Sequence, residues 1–236
     1  MKGSDVDLMK LRITFANTVL VSFAICFFGC SERATNGQSS SPPPAIEKKS
    51  MLFEKQLETF KKLGFDLNPT IKLEDIDRWG GKNEFDTPPF MTMYITLGQT
   101  IEREPWTPLT DRVWHFDMEA IEDHGAYVDI MKNLERITRG ELKFSNLKDY
   151  VDVENKKAWV SFSVRNKAYK WNLEVVDDWA DPQLFSKVVE LTKILKTKGR
   201  FTYFSTGGQD AVIGYETPES KQAIVKATGL KIEWLD

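Results

Sequence analysis

Cysteine is scarce in this 236-residue chain, and both copies lie near one end, at Cys26 and Cys30. No thiol occurs after residue 30. That excludes a disulfide framework, a thiol nucleophile and thiolate metal ligands from the main part of the chain. Histidine is as sparse, with only His115 and His124. HExxH, CxxC and GxSxG do not occur. A serine–histidine triad would have to use one of these two histidines, and neither neighbours a nucleophile elbow. The stretch "FSTGGQDA" (residues 204–211) is glycine-rich but lacks the lysine and spacing of a phosphate loop. An excess of basic residues is also missing, since 32 Lys and Arg face 35 Asp and Glu. A general nucleic-acid binder needs a basic face to displace counterions, so no nucleic-acid partner is expected.

One long apolar run is present, Ile13 to Gly29, interrupted by Thr14, Asn17, Thr18 and Ser22. A spanning helix wants roughly 20 predominantly apolar residues. This run is short for that and fits the hydrophobic part of a secretory signal, with Lys10 and Arg12 in front. Asp5 and Asp7 are unusual there. A start at Met9 would open the chain with "MKLRITF", a cleaner signal. The run ends "FFGC", a small residue directly before a cysteine. This resembles the lipobox of bacterial lipoproteins, although Phe27 and Phe28 stand where that family prefers an aliphatic and a small residue. The resemblance implies cleavage before Cys30 and a diacylglyceryl anchor on Cys30. It places the protein at the bacterial cell envelope. Ser31 after the cysteine favours the outer membrane, facing periplasm or cell surface, over the inner membrane. An uncleaved anchor helix is the alternative, and it too holds the chain at a membrane.

Residues 31–45 contain four Ser, the triplet Pro42-Pro43-Pro44 and no large apolar side chain. Such a segment cannot bury enough surface to fold. It reads as a tether, stiffened near its end by polyproline geometry, with a reach of at most about 50 Å. The expected organisation is therefore a signal over 1–29, a lipidated cysteine and tether over 30–45, and one folded domain over 46–236. Losing residues 1–29 removes three basic and two acidic side chains and leaves a net charge of −4. Without disulfides the domain depends on packing, for which 15 Phe, 7 Trp and 6 Tyr supply apolar area.

The pattern predicts a helix from Ser50, as cap, to Leu63, with Leu52, Phe53, Leu57, Phe60 and Leu63 inward and Gly64 at its end. A helical turn over Leu73–Trp79 would stop at Gly80-Gly81. Phe90–Leu97 reads as a strand and Gly98–Thr110 as a loop around Trp106. The next part repeats at an offset of 55: residues 112–138 align with 167–193, each running strand, acidic turn, helix. In the first copy Asp123 is a candidate cap, and Tyr127, Ile130, Met131, Leu134 and Ile137 form the inner face. In the second, Asp181 caps, Pro182 follows, and Phe185, Val188, Val189 and Leu195 lie inward. Trp114, Phe116, Met118, Trp171 and Leu173 are expected on buried sheet faces. Strand pairs 158–164/169–175 and 201–205/211–215 flank the turns "RNKA" and "TGGQD". Thr217-Pro218 opens a third helix ended by Gly229, and Leu230–Leu235 forms a last strand. These units predict an α+β fold: antiparallel sheet with helices on one face, built from repeated strand–strand–helix units.

Two constellations carry chemical potential. His115, Asp117 and Glu119 share the polar phase of the strand Arg112–Glu119, with Glu122, Asp123 and His124 just beyond. Imidazole and carboxylate together suit zinc or another divalent metal. Alternate strand residues stand roughly 7 Å apart, however, so the turn would have to fold back over them. A solvated polar face is the plainer explanation. Glu119 and Glu174 occupy equivalent repeat positions, and a carboxylate pair across a cleft is the basis of glycoside hydrolysis. Beyond the divalent metal, no cofactor is expected.

The segments "DRVWHFDMEAIEDHGAYVDI" and "FTYFSTGGQDAVIGYETPE" resemble uncharacterised bacterial domains, some encoded near toxin–immunity systems. That resemblance implies no catalytic residue and favours a binding module. The leading expectation is a lipid-anchored, non-enzymatic protein that binds another protein in the manner of an immunity or inhibitor factor. The alternative is a metal-dependent or carboxylate-based hydrolase of envelope glycans.

Overall fold

The structure is a computed structural model that describes residues 46–77, 82–85 and 88–236, with the side chains of 46–51, 83 and 84 left out. Cys30, the signal and the tether lie outside the described residues. So does the Gly80-Gly81 stop. The described part falls within a unit spanning Pro43–Asp236. None of its helices is long and apolar enough to cross a membrane.

Helix α1 (Ile46–Lys62) starts earlier than its apolar spacing indicates, so Ser50 lies inside it and not at its cap. Its inner face is Phe53, Gln56 and Phe60, all buried, with Leu57 beside them. The buried Gln56 amide is bonded at both its polar atoms: its nitrogen donates to the Phe85 carbonyl at 2.6 Å, and its oxygen accepts from the Phe90 N–H at 2.7 Å. Gly64 follows in the left-handed region at φ +82°, where a glycine is cheapest. A short helix α2 (Leu73–Ile76) comes next.

The segment expected to be a strand at Phe90–Leu97 is helix α3 (Met91–Leu97). A short apolar run fits either period. Here Met93, Tyr94 and Leu97 are the buried apolar residues, spaced for a helical face, with Thr96 buried beside them. The expected loop after it contains a small hairpin, β1 (Thr100–Ile101) with β2 (Thr107–Pro108), and leaves Trp106 62% exposed at its tip.

Then follow β3 (Val113–Asp117), α4 (Ala126–Ile137), β4 (Ser145–Asp152), β5 (Lys157–Val164), β6 (Lys167–Leu173), α5 (Pro182–Leu195), β7 (Arg200–Ser205), β8 (Asp210–Glu216), α6 (Pro218–Thr228) and β9 (Glu233–Trp234). The fold is α+β, and every strand pairing is antiparallel. One sheet has the order β3-β8-β7-β9 and the other β4-β5-β6. The last strand is only two residues, because Leu230 and Ile232 turn into the core instead of pairing.

The four-stranded sheet separates two cores. Trp114, Phe116, Phe201, Ala211, Ile213 and Tyr215 project into the first, with α4, α5 and the inner face of the three-stranded sheet. Val113, Phe204 and Val212 project into the second, with α1, α3 and Ile224 of α6. Helices on one face thus describes the three-stranded sheet, whereas the four-stranded sheet carries helices on both. Gly214 allows this in the middle of β8. A Cβ there would stand 2.6 Å from the Thr202 hydroxyl and 3.4 Å from that of Tyr94, so α3 packs where no side chain fits.

Local signals set several helices. The buried face of α4 is Tyr127, Ile130, Met131, Leu134 and Ile137, as the spacing predicts. Asp181 caps α5 by accepting from the Gln183 N–H, and Thr217 caps α6 by accepting from the Ser220 N–H. Asp123 does not cap α4. The cap position is Gly125, and the anion at that terminus is Asp149 of β4, which accepts from Gly125 N–H (2.8 and 3.0 Å) and Val128 N–H (3.1 Å). A carboxylate at that end offsets both the free N–H groups and the dipole. The two aligned repeat segments do run strand, turn, helix, but β3 and β6 lie in different sheets. Their turns bond to each other: Asp178 O accepts from the N–H of Ala120 and Ile121, and Met118 O accepts from Ala180 N–H.

Candidate functional site

The six residues of the polar cluster divide into separate contacts. His115 is half-buried and its Nε2 is hydrogen-bonded to Asp210 Oδ2 at 2.7 Å, across the diagonal of β3 and β8. Asp210 Oδ1 accepts from the Thr206 hydroxyl at 2.7 Å. Burial is the largest influence on the Asp210 carboxyl and pushes it up. The hydrogen bonds from Thr206 and His115 outweigh that, so it titrates below the ordinary carboxylate range. Asp117 lies at the exposed end of β3 and accepts from Gln209 Nε2 and the Glu119 N–H, both at 3.0 Å. Glu119 and Glu122 are exposed. Asp123 accepts from His124, through the backbone N–H and at Nδ1, both at 2.6 Å, which holds the Asp123 carboxyl below its usual range. Among the described residues no three His, Cys, Asp or Glu side chains are grouped to hold a metal ion.

The second proposed pair does not share the walls of one described cleft. Glu174 is exposed and lines a cleft of about 400 Å³ with Val153, Lys156, Val175, Val176 and Asp177. Glu119 is not among its walls. Its backbone instead bridges Trp179 in the turn between the repeat segments.

A different surface emerges where His124 leads. Its ring stands edge-on to Tyr150 of β4, centroids 4.9 Å apart. Tyr150 is on the outer face of the three-stranded sheet. β5 alternates strictly: Ala158, Val160, Phe162 and Val164 are buried, while Trp159, Ser161 and Ser163 face outward. The register puts Tyr150, Trp159 and Asn172 in one row, and Lys148, Ser161 and Lys170 in the next. The Tyr150 and Trp159 rings are parallel to within 10° at 6.1 Å. The Lys170 ammonium sits 4.2 Å from the Trp159 ring centroid, a cation–π contact that holds both side chains. The Tyr150 hydroxyl donates to Asp152 at 3.1 Å, a bond that pushes the phenol pKa up. Tyr150, Trp159 and Asn172, with Lys156 and Lys157, line a cleft of about 340 Å³ at the end of the sheet.

This face carries Lys148, Lys157 and Lys170 against Asp152 alone. It is locally basic in an acidic chain. Chemically it offers ordered aromatic edges, three ammonium groups and amide and hydroxyl donors. Sequence reasoning missed Tyr150, Trp159, Lys170 and Asn172. A signal for Trp159 was present: in "KAWVSFSV" it shares the phase of two serines, and that phase is the wet one.

Comparison with known protein families, with characterised proteins and with solved structures finds no match to this chain.

Proposed function

We propose that this is a lipid-anchored protein of the bacterial cell envelope, tethered through Cys30, whose folded part is a non-enzymatic module that binds another protein. The contact surface is the outer face of β4-β5-β6. One observation carries the reading: Trp159 and Tyr150 are held in an ordered stack on the solvent side of a sheet whose other side is core. Large aromatics with restricted rotamers are what protein interfaces concentrate at their centres. Ordering them before binding lowers the entropic cost of association. The lipobox-like "FFGC" and the proline-rich tether support the anchor. An immunity- or inhibitor-like role fits a small binding module at this location. The hydrolase alternative has less support, because its two carboxylates do not line one cleft.

The test places a photo-crosslinking amino acid at position 159, and separately at Lys61 on α1, in the full chain in its host cells. The reading expects a discrete protein adduct from position 159 and none from position 61. Equal adducts from both, or none from either, would remove the assignment of this face. Cys30→Ala tests the anchor: an unprocessed precursor is expected, and an unchanged mature protein contradicts it.

A further inference from the structure

Antiparallel sheets expose a row of unpaired backbone groups at each edge, and folded proteins usually block them. Most edges here are blocked. β9 is two residues long. β3 has its outward edge engaged at its middle residue, where Gly98 accepts from the His115 N–H, and just past its end by the Glu119–Trp179 bridge. β4 carries a register shift between Ser145 and Lys148, with Asn146 at φ +54°. β6 differs. It is seven residues long, pairs with β5 in unbroken register, contains no proline and has no partner on its other side among the described residues.

The turn before β6 fixes which groups are free. Arg165 and Asn166, both at positive φ, make a two-residue hairpin closing on the pair Val164 and Lys167. In such a hairpin the closing pair exchanges hydrogen bonds and the pattern alternates from there. The N–H and C=O of Ala168, Lys170 and Asn172 therefore point away from β5. Side chains at the same edge are incompletely covered on both faces. Tyr169 and Trp171, on the inner face, are only half-buried against Phe162. Lys170 and Asn172 stand exposed on the outer face. From Arg165 to Leu173 the chain has three cations and no acid.

We infer that β6 receives an extended acidic segment of a partner protein as a fourth strand, pairing with Ala168, Lys170 and Asn172. This rests on the protein-binding reading above and names the mode and chemistry of the partner. A strand laid there alternates its side chains between the two faces. Its outward residues extend the row Lys148–Ser161–Lys170, where a carboxylate meets an ammonium. Its inward residues cover Tyr169 and Trp171, where an apolar side chain fits. A second copy of this chain fits poorly, because antiparallel pairing of two β6 strands about their centre sets Lys170 opposite Lys170.

The probe is a short peptide of alternating Glu and Val, at millimolar concentration, added to the full chain in detergent. Amide hydrogen exchange is the readout. In the protein alone, Ala168, Lys170 and Asn172 should exchange fast, and Tyr169 and Trp171 slowly. The peptide should slow the first three by on the order of tenfold or more. The same peptide N-methylated at alternate residues should not, because it cannot complete the ladder. Lys170→Glu should reverse the preference, toward a Lys and Val peptide. Absence of protection, protection elsewhere, or equal protection by the N-methylated peptide would overturn strand addition. So would concentration-dependent protection in the protein alone, which would give the edge to a second copy. Failure here with intact crosslinking from position 159 would remove only this mode. Loss of that crosslink would remove the binding reading itself.

Discussion

The two larger sheets are built from similar antiparallel hairpins, yet one is closed on both faces and the other on one. β8, "DAVIGYE", is buried from Ala211 through Glu216 without a break. β5, "KAWVSFSV", is buried at every second residue. A strand between two cores needs apolar side chains in both phases, and a strand beside one core needs them in a single phase. Even the acid at the end of β8 obeys this. Glu216 is 1% exposed and accepts a bidentate contact from Arg112 (2.6 and 3.3 Å) and a hydrogen bond from the Ser220 hydroxyl at 2.6 Å. In the four-stranded sheet the aromatics of β3 and β8 are core, and Trp234, on the two-residue edge strand β9, lies half-exposed beneath the Arg200 and Lys221 cations. In the three-stranded sheet, the aromatics on the polar phase have no core to fill, and that makes Trp159 and Tyr150 informative.

If this contrast is right, truncations should rank by sheet. Phe201→Ala in β7, buried between strand and helix against Tyr215, should cost about 3–5 kcal/mol in a denaturant melt. Trp171→Ala, on the inner face of an edge strand and only half-buried, should cost about 1–2 kcal/mol. Equal losses would break the comparison.

Acid probes the closed side differently. Asp75, covered by the Arg103 guanidinium, accepts from it at 2.8 and 3.1 Å and from the Lys72 N–H at 2.9 Å. The Arg103 bond is the larger cause, and together they bring its carboxyl down to about 2 against a mild opposing effect of burial. A lowered carboxyl stabilises the fold fully above its unfolded value of about 4, and that contribution disappears as pH falls through the folded value. Wild type should therefore lose more stability than Asp75→Asn between those two values. Parallel pH curves would contradict it. The smallest effect belongs to the open face: Lys170→Ala removes an exposed cation–π contact and should cost about 0.5 kcal/mol or less.

Much of this was legible because it is local. The inward five of α4, the Asp181-Pro182 and Thr217-Pro218 starts and the two hairpins follow from spacing and turn chemistry within a few residues. What escaped depends on distant partners or on an ambiguous period. Met91–Leu97 is too short to distinguish helix from strand. β4, "SNLKDYVD", is a bulged edge strand with one buried residue, so it has no alternation to read. His115 draws its partner Asp210 from 95 positions away. The α4 cap comes from Asp149, on a strand the pattern did not reveal. The outer-face row exists only once β4, β5 and β6 are in register, so three ordinary residues became a surface through pairing alone.

The central claim is that the open sheet face binds a protein while the closed sheet only supports it. Its most direct test is the affinity of the partner captured from position 159, measured for wild type and for the double substitution Tyr150→Ala, Trp159→Ala. Anchors at the centre of an interface cost at least about 2 kcal/mol each when truncated, so affinity should fall by on the order of a thousandfold if the two losses add, and by no less than about thirtyfold if they overlap completely. The thermal midpoint should move by only a few degrees, about the effect of 1 kcal/mol in a domain of this size. An affinity unchanged in a folded double variant would contradict the account.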